Sequence, residues 1–227
     1  MSSKDTSVPF RQEFEVGKKL KVALVDTGHA NLRSVQRALE EAGKGLSLSV
    51  ARTHDPELIA HADHIVVPGQ GGFGDCLSGL QEGVDQVLRE KVQQGTYYLG
   101  ICLGLQALFE GSEEAEGVKG LGLFSGQCRK LAPAPGIKIP HMGWNQLNLE
   151  NGGHGALQSG GGHGAWFYFI HSYHAVPNDE RLVKAWVQHG PHQVTAAVAR
   201  DNILATQFHP EKSQAAGLSL LRGFLTQ

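Results

Sequence analysis

Cysteine is scarce in this 227-residue, 24.4 kDa chain, which holds only Cys76, Cys102 and Cys128. An odd number at wide spacing, with no C-x-x-C pair, excludes a dense secreted disulfide scaffold and points to reduced thiols in a cytoplasmic chain. Long hydrophobic runs are missing too. No window approaches the ~20 apolar residues that span a bilayer, and residues 1–21 carry charges throughout instead of a signal peptide's apolar stretch. A soluble protein with no membrane partner is expected. Charge of one sign is also lacking: 20 Lys and Arg stand against 22 Asp and Glu, giving a formal charge of -2. That balance argues against a nucleic-acid partner. There is no internal repeat and no linker separating independent domains. The expectation is an N-terminal extension over residues 1–20 and a single domain over 21–227, long enough to bury roughly 70% of its unfolded surface.

The apolar run at 20–25 (LKVALV) reads as a buried strand. A helix follows it, with Leu32, Val35, Ala38 and Leu39 on one face, Asn31 as N-cap and Gly43 as stop. The same grammar returns at 64–67, followed by a glycine-rich turn and a helical stretch over 75–93, and again at 97–101, followed by a helix over 102–109. Repeated strand–helix units predict an α/β fold: a mainly parallel central sheet with helices on both faces. Beyond about residue 120, shorter runs at 126–131, 166–170, 182–187, 195–200 and 203–208 read as additional strands, some antiparallel, and 215–225 reads as a closing helix. Residues 151–164 (NGGHGALQSGGGHG) are rich in glycine and read as a surface loop.

Three segments carry chemistry. Gly100-Ile101-Cys102-Leu103-Gly104 joins a strand to a helix with the spacing of a nucleophile elbow, cysteine replacing serine. Small neighbours permit the sharp turn. The helix N-terminus stabilises negative charge and supplies N–H groups for an oxyanion. Alone, the pattern also fits a buried core cysteine between packing glycines. The second segment, Thr206-Gln207-Phe208-His209-Pro210-Glu211, supplies a base and a carboxylate to orient it, as a thiol nucleophile requires. In isolation it also fits a surface His beside a solvated Glu. The third, Pro68-Gly69-Gln70-Gly71-Gly72-Phe73-Gly74, can point peptide N–H groups at an oxyanion. Its G-x-G-x-x-G match lies in the second strand–helix unit, not the first where a dinucleotide fingerprint belongs.

Together these segments resemble the class I (triad) glutamine amidotransferases, which carry a Pro-Gly-x-Gly turn, a Gly-x-Cys-x-Gly-x-Gln elbow and a late His-Pro-Glu. The resemblance runs over about 21–225 and implies a flavodoxin-like class I glutaminase fold. Within that family, Asn31-Leu32-Arg33-Ser34-Val35, Pro140-His141-Met142-Gly143-Trp144-Asn145 and Tyr168-Phe169-Ile170-His171-Ser172-Tyr173 resemble the glutaminase subunits of imidazole glycerol phosphate synthases of histidine biosynthesis.

The resemblance implies that Cys102 attacks the amide of L-glutamine to form a glutamyl thioester, with His209 shuttling the proton and Glu211 holding His209. It implies an oxyanion hole around Gly69, Gly71 and Leu103, and a substrate site at Gln106, Glu114, Ser172 and Tyr173. Glu114 is also readable as one more solvated acid of the run 110–116. The partner implied is a (β/α)8 barrel cyclase that consumes the ammonia, met by Asn31, His141, Met142, Trp144, Asn145, Tyr168 and Lys212. No cofactor or metal is implied.

Two departures stand out. The first loop lacks the family's Tyr after Asp26 and its Gly before Asn31, and Gln70 replaces the usual Val of the oxyanion turn. The alternatives are a glutaminase of another amidotransferase and a non-enzymatic module of the same fold. An α/β-hydrolase is disfavoured because its acid precedes its His. The pairs His61/His64, His171/His174 and His189/His192 lack a third ligand at a recognised metal spacing.

Overall fold

The computed structural model describes residues 19–28, 30–150 and 152–227, so the expected N-terminal extension lies almost wholly outside the described residues. Strand β1 (Leu20–Val25) puts Val22 and Leu24 into one core and Ala23 and Val25 into another. Side chains alternate across a strand, so a strand covered on both faces must be apolar throughout. Helix α1 (Leu32–Ala42) follows as expected. The Asn31 side chain accepts the Ser34 N–H, and the chain leaves the helix at Gly43. Next come β2 (Leu48–Thr53), α2 (Pro56–Ala60) and β3 (His64–Gly69), the last buried along its whole length.

The single helix expected over 75–93 is two, α3 (Phe73–Ser78) and α4 (Val84–Gln93). Gly79 packs so closely on the loop after β1 that a Cβ there would meet the Thr27 carbonyl oxygen at 2.3 Å. Glu82 and Gly83 then turn the chain with φ of 58° and 89°. Strand β4 (Tyr97–Cys102) leads into α5, which spans Leu103–Gln106 and stops short of the expected 109. The carbonyls of Ala107, Leu108 and Phe109 bond instead to the N–H groups of Leu121, Phe124 and Gly122. The N–H groups of Leu108 and Phe109 reach only three residues back, to the carbonyls of Leu105 and Gln106, so the helix tightens and ends.

The later strands are β5 (Gly111–Ser112), β6 (Gly126–Lys130), β7 (His141–Gln146), β8 (Asn148–Leu149), β9 (Trp166–His171), β10 (Tyr173–Pro177), β11 (Val183–His189), β12 (His192–Arg200) and β13 (Ile203–Thr206). The main sheet runs β2-β1-β3-β4-β13-β12-β11-β8. Its first five strands are parallel and its last three pairings antiparallel. The parallel part has the doubly wound 2-1-3-4-5 order of flavodoxin-like sheets. Two small sheets, β10-β6-β5 and β7-β9, complete the fold.

The glycine-rich run 151–164 differs from the loop expected of it. It contains α6 (Gly155–Ser159), whose Ala156 and Leu157 are fully buried. Helix α7 (Gln214–Leu225) shares the same core with α1. Gly160 and Gly223 let α6 and α7 approach closely, since a Cβ on Gly223 would lie 2.7 Å from Ser159 Oγ. Composition suggested solvent, but Gly160 serves packing.

Candidate active site

Two glycines force the turn at the end of β4. A Cβ on Gly100 would stand 2.4 Å from the Gly104 carbonyl oxygen, and one on Gly104 would stand 1.8 Å from that of Val67. With the backbone this close, Cys102 adopts φ 55° and ψ -103°, a left-handed conformation that L residues rarely hold. This is the elbow read from sequence. Tyr98, buried beneath it, donates its hydroxyl to the Gly104 carbonyl. Beside it β3 pairs Gly69 with Cys102, and a Cβ on Gly69 would lie 2.5 Å from Leu103 Cβ. The glycine-rich turn is thereby pressed against the elbow, with Gly71 at φ 96°.

β13 is the other neighbour of β4 and delivers His209 to the same edge. His209 Nδ1 meets Glu211 Oε1 at 2.8 Å, with both side chains almost wholly buried. Three main-chain contacts hold this pair. The His209 N–H donates to the Tyr168 carbonyl, and Ser213 Oγ donates to the His209 carbonyl while accepting the Tyr168 N–H. His209 Nε2 has no partner in hydrogen-bonding geometry. Burial acts to lower the His209 pKa. The negative charge available at Cys102 and the Glu211 carboxylate outweigh it and push the imidazole up to about 10. Opposite a charged sulfur, His209 thus favours its imidazolium form.

The other two cysteines are unsuited to this chemistry. Burial, with the nearby Cys102 charge adding, pushes Cys76 up to about 12, and burial pushes Cys128 higher still. Both remain neutral thiols.

A cleft of about 390 Å³ joins these pieces. Cys102, Leu103, Gly71 and His209 line one part of it, and Gln106, Glu114, Ser172 and Tyr173 another. Gly69 lies behind the lining, as packing. Glu114 accepts the Phe73 N–H at 2.8 Å and so ties the glycine-rich turn in place. Gln106 donates to the Tyr173 carbonyl and leaves its own buried Oε1 without a partner. The Tyr173 carbonyl takes a second donor from His171, so both its lone pairs are used.

The residues expected at a partner surface divide four ways. Met142 and Trp144 project outward from β7, pairing with Ile170 and Tyr168 of β9. Asn145 and His141 point inward: His141 Nδ1 lies 3.0 Å from His171 Nε2, and Asn145 Nδ2 3.2 Å from His141 Nε2. Asn31 has a local task in capping α1, and Lys212 lines the cleft.

Two features escaped the sequence reading. Trp166 is exposed on the same outward face as Trp144, as a period of two from Tyr168 indicates. Gln207, fully buried, places its Nε2 3.6 Å from Cys102 Sγ. In extended chain, residues two apart share a face, so its position before His209 was the available signal.

The family model described as "Glutamine amidotransferase class-I" matches residues 23–227. Relatives named "Imidazole glycerol phosphate synthase subunit HisH" include one from Synechococcus elongatus, 44% identical over 207 residues, covering 91% of this chain and 93% of that one. Another, from Acinetobacter baylyi, is 43% identical over 206 residues, covering 90% and 97%. Among solved structures, one titled "Structure of PurLQS from Thermotoga maritima" superposes with a TM-score of 0.69 at 20% identity, over 92% of this chain and 99% of that one. The strained Cys102 elbow, the buried His209–Glu211 pair behind it and the match over nearly the whole described chain agree, and the chain belongs to the class-I glutamine amidotransferase family.

Proposed function

We infer that this chain is the glutaminase subunit of an imidazole glycerol phosphate synthase, hydrolysing L-glutamine and passing the ammonia to a cyclase subunit in histidine biosynthesis. The observation that carries the reaction is Cys102 at φ 55°, its sulfur lining a cleft with His209, which Glu211 holds at 2.8 Å. The Cys102 thiolate attacks the side-chain amide carbon. The oxyanion takes hydrogen bonds from the Leu103 N–H and from the Gly69–Gly71 turn. His209 gives its Nε2 proton to the departing nitrogen, so ammonia leaves and a glutamyl thioester remains. A water then attacks the thioester, its proton passes to His209, and the C–S bond breaks to release glutamate and the thiolate. Glu114 and the unpartnered Gln106 Oε1 receive the donors of the substrate's head group.

Ammonia released into water would be protonated and lose its nucleophilic lone pair, so the reaction calls for a second chain at the cleft. The apolar outer face of β7 and β9 suits that chain, with Met142 58%, Trp144 43% and Trp166 51% exposed beside the cleft-lining Ile170. We assign to this face a (β/α)8 barrel cyclase, working with this chain in the cytoplasm. Mass spectrometry after exposure to a glutamine-derived electrophile tests the reading. Modification confined to Cys102, and accelerated by the cyclase, is expected; modification elsewhere, or none, removes the basis for it.

A further inference from the structure

The triad does not account for a buried amide against the nucleophile. Gln207 Nε2 donates to Cys102 Sγ at 3.6 Å, and Gln207 Oε1 accepts Gln106 Nε2 at 3.2 Å. Gln106 Nε2 also donates to the Tyr173 carbonyl at 3.0 Å. That same carbonyl receives His171 Nδ1 at 2.9 Å, and His171 Nε2 faces His141 Nδ1 at 3.0 Å. Beyond His141, its Nε2 meets Asn145 Nδ2 at 3.2 Å, and Asn145 also donates to the Gln188 carbonyl while its Oδ1 accepts the Gln146 N–H. The sulfur is thus joined without a break to β7, the strand whose opposite face carries Met142 and Trp144.

Donor and acceptor roles along this path admit one assignment. A carbonyl only accepts, so at Tyr173 both His171 Nδ1 and Gln106 Nε2 must carry hydrogen. Neutral His171 then has a bare Nε2, which requires hydrogen on His141 Nδ1. Its bare Nε2 in turn requires the Asn145 amide nitrogen. On the other arm, a reversed Gln207 would set its NH2 against that of Gln106, so its NH2 must face the sulfur. Burial holds His141 down to about 4 and His171 to about 3, and both are neutral at pH 7.

We propose that Gln207 is a further catalytic residue that holds the Cys102 sulfur through its amide, and that the Tyr173 carbonyl couples this hold to β7 through His171, His141 and Asn145. The coupling rests on the partner assignment above, whereas the hold on the sulfur does not. A displacement of β7 by a docked chain moves His141 and, through it, His171, and the Tyr173 peptide that His171 bonds must follow. Gln106 is bonded to that peptide and turns Gln207 at the sulfur. The Tyr173 carbonyl is the shared node, with two donors on one oxygen.

Three measurements test this. Long-range nitrogen–proton NMR of the full chain at pH 7 is expected to find His141 and His171 both neutral with hydrogen on Nδ1; an Nε2–H tautomer or an imidazolium at either overturns the assignment. In the isolated chain, Gln207→Met is expected to slow iodoacetamide alkylation of Cys102 at neutral pH about 10-fold, with recovery at higher pH, because a donor to the charged sulfur is lost. An unchanged rate overturns the hold. In the complex at saturating cyclase, Asn145→Asp, which cannot donate to His141 Nε2, is expected to lower glutamine-dependent kcat about 10-fold in the native background and less than about 2-fold in Gln207→Met. Additive effects, or no effect of Asn145→Asp, overturn the coupling. If the native pair shows no glutamine-dependent turnover, the assigned function fails instead, and the alkylation result still decides the role of Gln207.

Discussion

Gly104→Ala adds one methyl group at the tightest point of the elbow. The new Cβ would lie 1.8 Å from the Val67 carbonyl oxygen and 2.8 Å from its carbon. Ordinary C···O contact begins near ~3.3 Å, so about 1.5 Å of separation must open. Val67 lies in the buried β3, between β1 and β4, and has little room to yield. The elbow must move, and Cys102 with it. A displacement of about 1 Å at a reacting atom costs on the order of 100-fold in rate, and overpacking costs about 1–3 kcal/mol of stability. At about 2–4 °C per kcal/mol for a chain of this size, the melting temperature should fall by about 2–12 °C. Steady-state glutamine hydrolysis with saturating cyclase, together with thermal unfolding, measures both. Gly155→Ala is the control, because nothing lies within 4 Å of a Cβ at that exposed helix start. A Gly104→Ala protein with native kcat/KM and melting temperature would refute the claim that this contact sets the position of the nucleophile.

Glu211→Gln keeps the volume of the pair and removes the carboxylate that helps raise His209. The protonated form of His209 is present below its pKa and lost above it, so the alkaline limb of kcat should move to lower pH. The rate should fall by about 10²–10⁴; a native pH–rate profile would remove Glu211 from the mechanism. Acid stability follows from His171, held at about 3, chiefly by burial, against 6.5 when unfolded. The unfolded chain binds this proton first, so stability is present above pH 6.5 and declines as pH falls towards 3. Between pH 6.5 and 5 the loss is roughly 2 kcal/mol, readable from urea melts at the two pH values, and His171→Phe should flatten that slope. Trp144→Ala should weaken cyclase binding by about 10–100-fold in a titration, while leaving Cys102 labelling of the isolated chain unchanged. Equal affinity would move the docking face away from β7 and β9.

The parallel half of the fold was legible because buried strands in such a sheet are continuous apolar runs, and β1, β3 and β4 announce themselves that way. β2 did not: Leu48–Thr53 is an edge strand, largely half-buried or exposed, and its alternation is interrupted by Ala51 and Arg52. The helix over 75–93 looked continuous because periodicity cannot register Gly79 pressed against Thr27, a contact between residues far apart in sequence. Gly160 looked like solvent for a similar reason, its value being the close approach of α6 to α7. In the site, Cys102, His209 and Glu211 each stand at a strand end with a local signature. Gln207 carries only its place two residues before His209, because its role depends on Gln106 and Cys102 being brought across the sheet to meet it.

The division of labour between a thiol that liberates ammonia and a partner that consumes it is tested most directly by Cys102→Ala in the complex, assayed with glutamine and, separately, with ammonium salts. Glutamine-dependent formation of imidazole glycerol phosphate should vanish while ammonium-dependent formation persists near the native rate. Retained glutamine-dependent turnover, or loss of both activities in a complex that still assembles, would contradict the account.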